Sequence, residues 1–283
     1  MSRLVHHRRL DDFHFIVLDA PESRNALSPE MVQAIDAAIA TVRDDDAARA
    51  VVLRGANAMF SAGGNIGNFS QRLAEAGGDH DPIAARNRDF GAFLERFCDL
   101  EIPTVAVVEG AAIGGGLGLA CSCDFVIVAS GAKFALTETT LGILPAQIAP
   151  FLVDRLGRAK TLRLTLSGQR FDGRAALEIG VADAVAETKE EIDACLARVL
   201  SDIGRCGPHA NRRFKRLMRD EAVRVQRSAW LDVAARCFSE CMQDEGRDGI
   251  GAFREKRPAS WVRQIVAAEI SDVSALPIIR SEA

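Results

Sequence analysis

The chain has no run of about 18 consecutive apolar residues, so nothing in it predicts a membrane-spanning helix. It also lacks an excess of one charge. Its 35 Lys and Arg stand against 39 Asp and Glu, which removes any electrostatic reason to expect a nucleic acid or an anionic membrane as partner. An anionic ligand must then be held locally. The seven cysteines are odd in number and lack the regular spacing of a disulfide framework. Cys121 and Cys123, like Cys237 and Cys241, have no His or Cys at metal-ligand spacing and read as buried free thiols of a reducing compartment. Arg3, Arg8 and Arg9 are followed by no apolar stretch, so no signal peptide is expected and the cytoplasm is the expected location.

What is present is apolar material for a large core, 48% of 283 residues, in a recognisable rhythm. Phe13 to Leu18, Arg49 to Arg54, Thr104 to Val108 and Asp124 to Val128 read as strands. Between them, Ser28 as N-cap and Pro29 at the first helical position open a helix whose Met31, Ile35, Ala38, Ile39 and Val42 share one face. A second helical stretch covers Phe90 to Phe97. Such alternation predicts an α/β layer structure. From Ala159 the pattern becomes helical, which places an α/β core over 1–205 and a helical C-terminal region over 206–283, after Gly207-Pro208. The turn-rich stretch Gly67 to Asp81 predicts a mobile loop.

The strongest local signal runs from Ile102 to Ala120. A strand leads through a turn into Gly114-Gly115-Gly116 and a helix, so backbone N–H groups are presented where no Cβ obstructs a ligand carbonyl. Three glycines also suit close helix packing or a phosphate cradle, but neither G-x-x-x-x-G-K-[ST] nor a complete G-x-G-x-x-G is present. A second turn, Phe60 to Ile66, follows the Val51 to Leu53 strand. Two such sets of donors converging on one point would make an oxyanion hole.

Read together, the segments Phe60-Ser61-Ala62-Gly63-Gly64-Asn65-Ile66, Pro103 to Asp124 and Phe134 to Pro145 resemble the crotonase (enoyl-CoA hydratase/isomerase) family in order and spacing. Arg155-Leu156-Gly157, Leu166-Ser167-Gly168, Ala175 to Ala182 and Phe253 to Pro258 extend the resemblance over about residues 10 to 262. It implies a crotonase-like ββα spiral core with a helical C-terminal trimerisation region, assembled as a homotrimer or a dimer of trimers. It also implies an acyl-CoA thioester as substrate, with CoA part of that substrate and no separate cofactor or metal.

Carried over residue by residue, the backbone N–H groups of Gly64 and Gly115 would form the oxyanion hole. Ala62, Asn65, Ile66, Gly114 and Leu141 would contact the acyl-CoA substrate. Family hydratases use two acidic side chains; here the second is Glu138, while Gly118 stands at the first position. A glycine moves no proton, so Glu138 would act alone or with ordered water. The same pairing of Gly with a retained Glu, and the run Leu144 to Pro150, resemble hydratases of branched, acidic enoyl-CoA substrates such as 3-methylglutaconyl- and isohexenylglutaconyl-CoA. As a carboxylate without that context, Glu138 reads as an exposed helix-start residue after Thr137.

Arg24 and Ala26, in the loop Pro21 to Ala26, and Lys256 with Arg257 are candidates for contact with CoA and its phosphates, against the reading of solvated surface residues. His6, His7, His14, His80 and His209 lie outside the matched segments, and Asp79-His80-Asp81 reads as a solvated turn. The expected activity is hydration of a 2-enoyl-CoA through a thioester enolate. The alternatives are double-bond isomerisation with Glu138 as sole acid/base, or a catalytically silent acyl-CoA- or RNA-binding relative.

Overall fold

The computed structural model describes residues 4–64, 81–218 and 221–259. Two sheets organise it. The larger has six strands: β1 (Val5–Leu10), β2 (Phe13–Leu18), β3 (Ala50–Gly55), β4 (Thr104–Val108), β6 (Phe125–Ala129) and β9 (Ala184–Ala186), hydrogen-bonded in the order β1-β2-β3-β4-β6-β9. Only the β1–β2 hairpin is antiparallel; every later pairing is parallel. Parallel strands covered on both faces are apolar throughout, and all five residues of β4 are buried. The smaller sheet, in the order β5-β7-β8, joins β5 (Ala111–Ile113), β7 (Lys133–Ala135) and β8 (Arg170–Asp172).

Helices cover both faces of the larger sheet. On one side, α1 (Pro29–Arg43), α2 (Pro82–Cys98), α3 (Gly115–Cys121) and α4 (Ala149–Ser167) contribute to the main core with Ile16, Leu18, Val51 and Leu53. On the other, α6 (Lys189–Arg205) lays Ile192, Leu196, Leu200 and Ile203 against Val52, Val105, Val107 and Ile127. Short α5 (Gly173–Ile179) connects β8 to β9. The expected cap of α1 is in place: Met31 N donates to Ser28 Oγ at 3.3 Å, and Pro29 starts the helix.

The C-terminal helices α7 (Pro208–Leu217), α8 (Glu221–Gln243) and α9 (Glu245–Glu255) follow the break at Gly207-Pro208. They do not stand apart from the core. Ala234, Phe238, Met242 and Ile250 pack with Ile83, Leu141, Ile143 and Ala146. Arg88 of α2 donates to Asp232 at 2.8 Å and Ser228 at 3.1 Å.

The start of α2 corrects one reading: Asp81, expected in the loop, is an N-cap whose Oδ1 accepts from Ile83 N at 2.9 Å and Ala84 N at 3.0 Å. Residues 67–80 of that expected loop, Asp79 and His80 among them, lie outside the described residues. Among the described residues no helix is long and apolar enough to cross a membrane.

The turn between β2 and α1 is tied down by one buried side chain. Asn25 adopts a left-handed φ of 53°, accepts from Ala20 N at 2.7 Å, and donates to Leu18 O at 3.2 Å and Met59 O at 2.6 Å. Asn25→Ala should therefore destabilise the protein by about 2 to 4 kcal/mol, because three backbone groups lose the side-chain partner that ties the turn down. Urea denaturation checks this, and a loss under about 0.5 kcal/mol, the range of an inert surface change, would refute it.

Candidate active site

Beyond β3 the chain turns and reaches Ser61, which forms a parallel bridge with Ala112 of β5. Ser61 N donates to Ala111 O at 2.9 Å, and Ile113 N donates to Ser61 O at 3.1 Å. Ser61 Oγ donates to Asn25 O at 2.8 Å and accepts from Gly63 N at 3.1 Å, while Leu27 N donates to Gly63 O at 2.8 Å. These bonds lay the Ala62–Gly64 turn beside the Gly114–Gly115 turn. A Cβ placed on Gly63 would lie 3.3 Å from the Gly115 nitrogen. Gly115 is the first residue of α3, so its N–H has no acceptor within the helix.

Both turns line a cavity of about 450 Å³, together with Leu27, Phe90, Glu138 and Leu141. Glu138 opens a single 3₁₀ turn, Glu138–Leu141, after β7. Thr137 precedes it without a side-chain capping bond. The Glu138 carboxyl enters the cavity beside Gly114, where a Cβ would come within 2.5 Å of Oε1; Gly114 has φ of 49°, so glycine is needed there twice over. Glu138 Oε2 is buried and has no hydrogen-bond partner. Burial pushes the carboxyl up to about 7, partly offset by its own backbone N–H. The apolar surround expected of Leu136, Leu141 and Ile143 is present, all three being buried.

Gly118 is one turn further along α3, and the space beside it is filled. A Cβ on Gly118 would lie 2.2 Å from Ile148 Cγ2 and 2.6 Å from Ile148 Cβ. A side chain of any length at 118 is excluded by packing. Glu138 is therefore the acid/base candidate on this wall, without a second carboxylate from α3.

Of the candidate site residues, Ala62, Gly64, Gly114, Gly115, Glu138 and Leu141 all line the cavity. Asn65 and Ile66 lie outside the described residues. Arg24 and Lys256 are exposed and Ala26 is buried, and none of the three belongs to the cavity wall. Arg257 is engaged with Asp248 at 2.8 Å and Glu255 at 2.6 Å. Sequence reasoning missed the polar wall of α2, where Arg86, Asn87 and Arg96 line the cavity, and it missed Gln147. Arg96 bridges to Asp36 of α1 at 2.6 Å. For Gln147 the available signal was a lone amide inside an apolar, proline-bounded run. Among the described residues no three His, Cys, Asp or Glu side chains gather as metal ligands would.

Burial of Glu138 has a consequence for stability. Its folded value, about 7, lies above the ordinary 4.5, so the native state holds this proton more tightly and stability falls as pH rises between those values. Glu138→Gln removes that dependence. The variant should gain about 2 to 3 kcal/mol on wild type between pH 5 and pH 8 in urea unfolding. A stability difference that stays constant over this range would contradict the assignment.

The sequence profile of the enoyl-CoA hydratase/isomerase family matches residues 12–264. Enoyl-CoA hydratase domain-containing protein 2, mitochondrial, of Mus musculus is 30% identical over 253 residues, covering 87% of this chain and 83% of its own. Human methylglutaconyl-CoA hydratase, mitochondrial, is 29% identical over 245 residues, 84% of this chain and 70% of its own. Among solved structures, an enoyl-CoA hydratase from Mycobacterium avium superposes with a TM-score of 0.81 at 28% identity, over 93% of this chain and all (100%) of that one. Pseudomonas aeruginosa AtuE shows 40% identity and a TM-score of 0.73, over 92% of this chain and 100% of that one. A match of this length, on a fold that brings both glycine turns and Glu138 to one cavity, means that the chain belongs to the enoyl-CoA hydratase/isomerase family, the crotonase family of enzymes.

Proposed function

We propose that this protein hydrates a 2-enoyl-CoA, using Glu138 as its single acid/base. The observation that carries the reading is a buried carboxyl, its Oε2 without a hydrogen-bond partner, poised near neutrality in the cavity that the two glycine turns share. The thioester oxygen accepts hydrogen bonds from the N–H groups of Gly64 and Gly115. Water attacks C3, the C2=C3 electron pair moves onto the thioester oxygen, and ionised Glu138 takes the proton released by water. The enolate then collapses as Glu138 returns that proton to C2. Atoms balance, and one carboxylate is enough.

A branched, carboxylated acyl group is the substrate class we assign. It rests on the similarity to proteins named methylglutaconyl-CoA hydratase. Isomerisation of a 3-enoyl-CoA is the second reading, because the seal of Ile148 against Gly118 leaves a site that can shuttle a proton without water. We also assign a homotrimer or dimer of trimers, for which light scattering should give three or six times the chain mass.

Mixing the protein with crotonyl-CoA, 3-methylglutaconyl-CoA and a 3-enoyl-CoA distinguishes these outcomes through the conjugated thioester absorbance. We expect loss of absorbance, fastest with 3-methylglutaconyl-CoA. Glu138→Gln should lower kcat by about 10³-fold. Because the base must be ionised, kcat/KM should rise with pH through about 7 and level off above it. A gain of absorbance with the 3-enoyl-CoA alone would establish the isomerase instead. Unchanged absorbance with all three would refute both readings.

A further inference from the structure

Gly115 carries no side chain, and the space beside it is held by two residues from other helices and turns. A Cβ on Gly115 would lie 3.2 Å from Phe90 Cζ, 3.4 Å from Phe90 Cε1 and 3.6 Å from Leu27 Cδ1. Phe90 and Leu27 both line the cavity. The tip of the Phe90 ring is therefore next to one of the two oxyanion donors. At the preceding residue, Gly114, the neighbour of a Cβ is Glu138 Oε1 at 2.5 Å. Adjacent Cα atoms are about 3.8 Å apart, so a thioester oxygen on Gly115 N–H puts its C2 and C3 close to both a carboxyl and an aromatic ring.

That ring is braced from behind. Phe90, Phe93 and Phe97 recur at three- and four-residue steps on one face of α2, with ring centroids 6.0 Å and then 6.3 Å apart. Phe93 and Phe97 are fully buried, and Phe90 is the one member of the ladder that is partly exposed, at the cavity. A filled core behind Phe90 leaves its ring no space to swing back when a ligand arrives. An apolar wall that cannot retreat discriminates between acyl groups by size.

The cavity also extends between α1 and α2. Pro29, Val32 and Asp36 of α1 line this part with Ala92 and Arg96 of α2, and the Asp36–Arg96 ion pair at 2.6 Å ties the two helices together there. From Pro29 to Asp36 the helix rises about 10 Å, a length that several methylene groups would span. We propose that Phe90 is the residue that sets acyl-chain length: its ring stops the chain just beyond C3, keeps it out of the α1–α2 part of the cavity, and so selects short acyl-CoA esters over long ones. The proposal deepens the hydratase reading and rests on its placement of the thioester oxygen at Gly115.

The test compares crotonyl-CoA with 2-decenoyl-CoA as substrates of wild type, Phe90→Leu and Phe90→Ala, and the binding of butanoyl-CoA with that of decanoyl-CoA by calorimetry. Each long-to-short ratio is read within one preparation, so loss of folded protein cancels. Wild type should favour the short ester. In Phe90→Ala the long-to-short ratio of kcat/KM should rise at least about tenfold, less in Phe90→Leu, and the ratio of affinities should rise in parallel. Phe93→Leu, one step deeper in the ladder, should leave both ratios at the wild-type value. Unchanged ratios in Phe90→Ala would overturn the proposal, as would a wild type that prefers the long ester. A rise confined to Leu144→Ala, where the cavity wall packs with Phe238 of α8, would place the chain at that end and overturn it too. Wild type that binds both saturated esters but hydrates neither unsaturated one would defeat the hydratase reading alone, and the affinity ratio would then decide the role of Phe90.

Discussion

Two hydrogen bonds between Ser61 and strand β5 join the turn after β3 to the glycine run before α3. Everything in the cavity is placed by that seam. It can form only because β3 and β4 are parallel neighbours in the larger sheet, so both chains leave from the same end and meet again at Ser61 and Ala112. Asn25 braces the seam from beneath, holding Leu18 and Met59 while its backbone oxygen receives Ser61 Oγ. The two glycine turns therefore lie on bonded elements and not on free loops, which suits a site that must present N–H groups to a developing negative charge without rearrangement.

Against this fixed frame, the chemistry of the cavity depends on burial. Glu138 is carried to Gly114 by a 3₁₀ turn whose last residue, Leu141, packs with Ile143 just beyond it onto α8 and α9. The C-terminal helices thereby exclude water from the carboxyl and raise its affinity for a proton. Ile148 does comparable work on the neighbouring turn, where it fills the space beside Gly118 with hydrocarbon. The space beside α3 thus holds one acid and one plug, and the remaining polarity comes from Gln33 and Asp36 of α1, from α2, and from Thr137 and Gln147.

Much of this was legible in the sequence because it rests on local rules. The parallel strands β3, β4 and β6 are unbroken apolar runs, and the Ser28-Pro29 cap announces α1. Strand β1 was not legible: Val-His-His-Arg-Arg-Leu has three exposed residues and no apolar alternation, and only pairing with β2 makes it a strand. The three-residue strands β5, β7 and β8 are shorter than any period they could display. The glycine turns and Glu138 were visible through motif order. Gln147 and the plug at Ile148 were not, since each acquires its meaning from a partner about 30 or more residues away in the chain, Gly118 for Ile148 and Gly91 and Leu231 for Gln147.

The central claim is that a single buried carboxyl, held near neutrality, serves this site. Carbon-13 NMR of protein labelled at the Glu side-chain carboxyl tests it without substrate. The account predicts one Glu resonance that titrates at about 7 and vanishes in Glu138→Gln. A spectrum in which the Glu138 signal titrates near the ordinary 4.5 would contradict it.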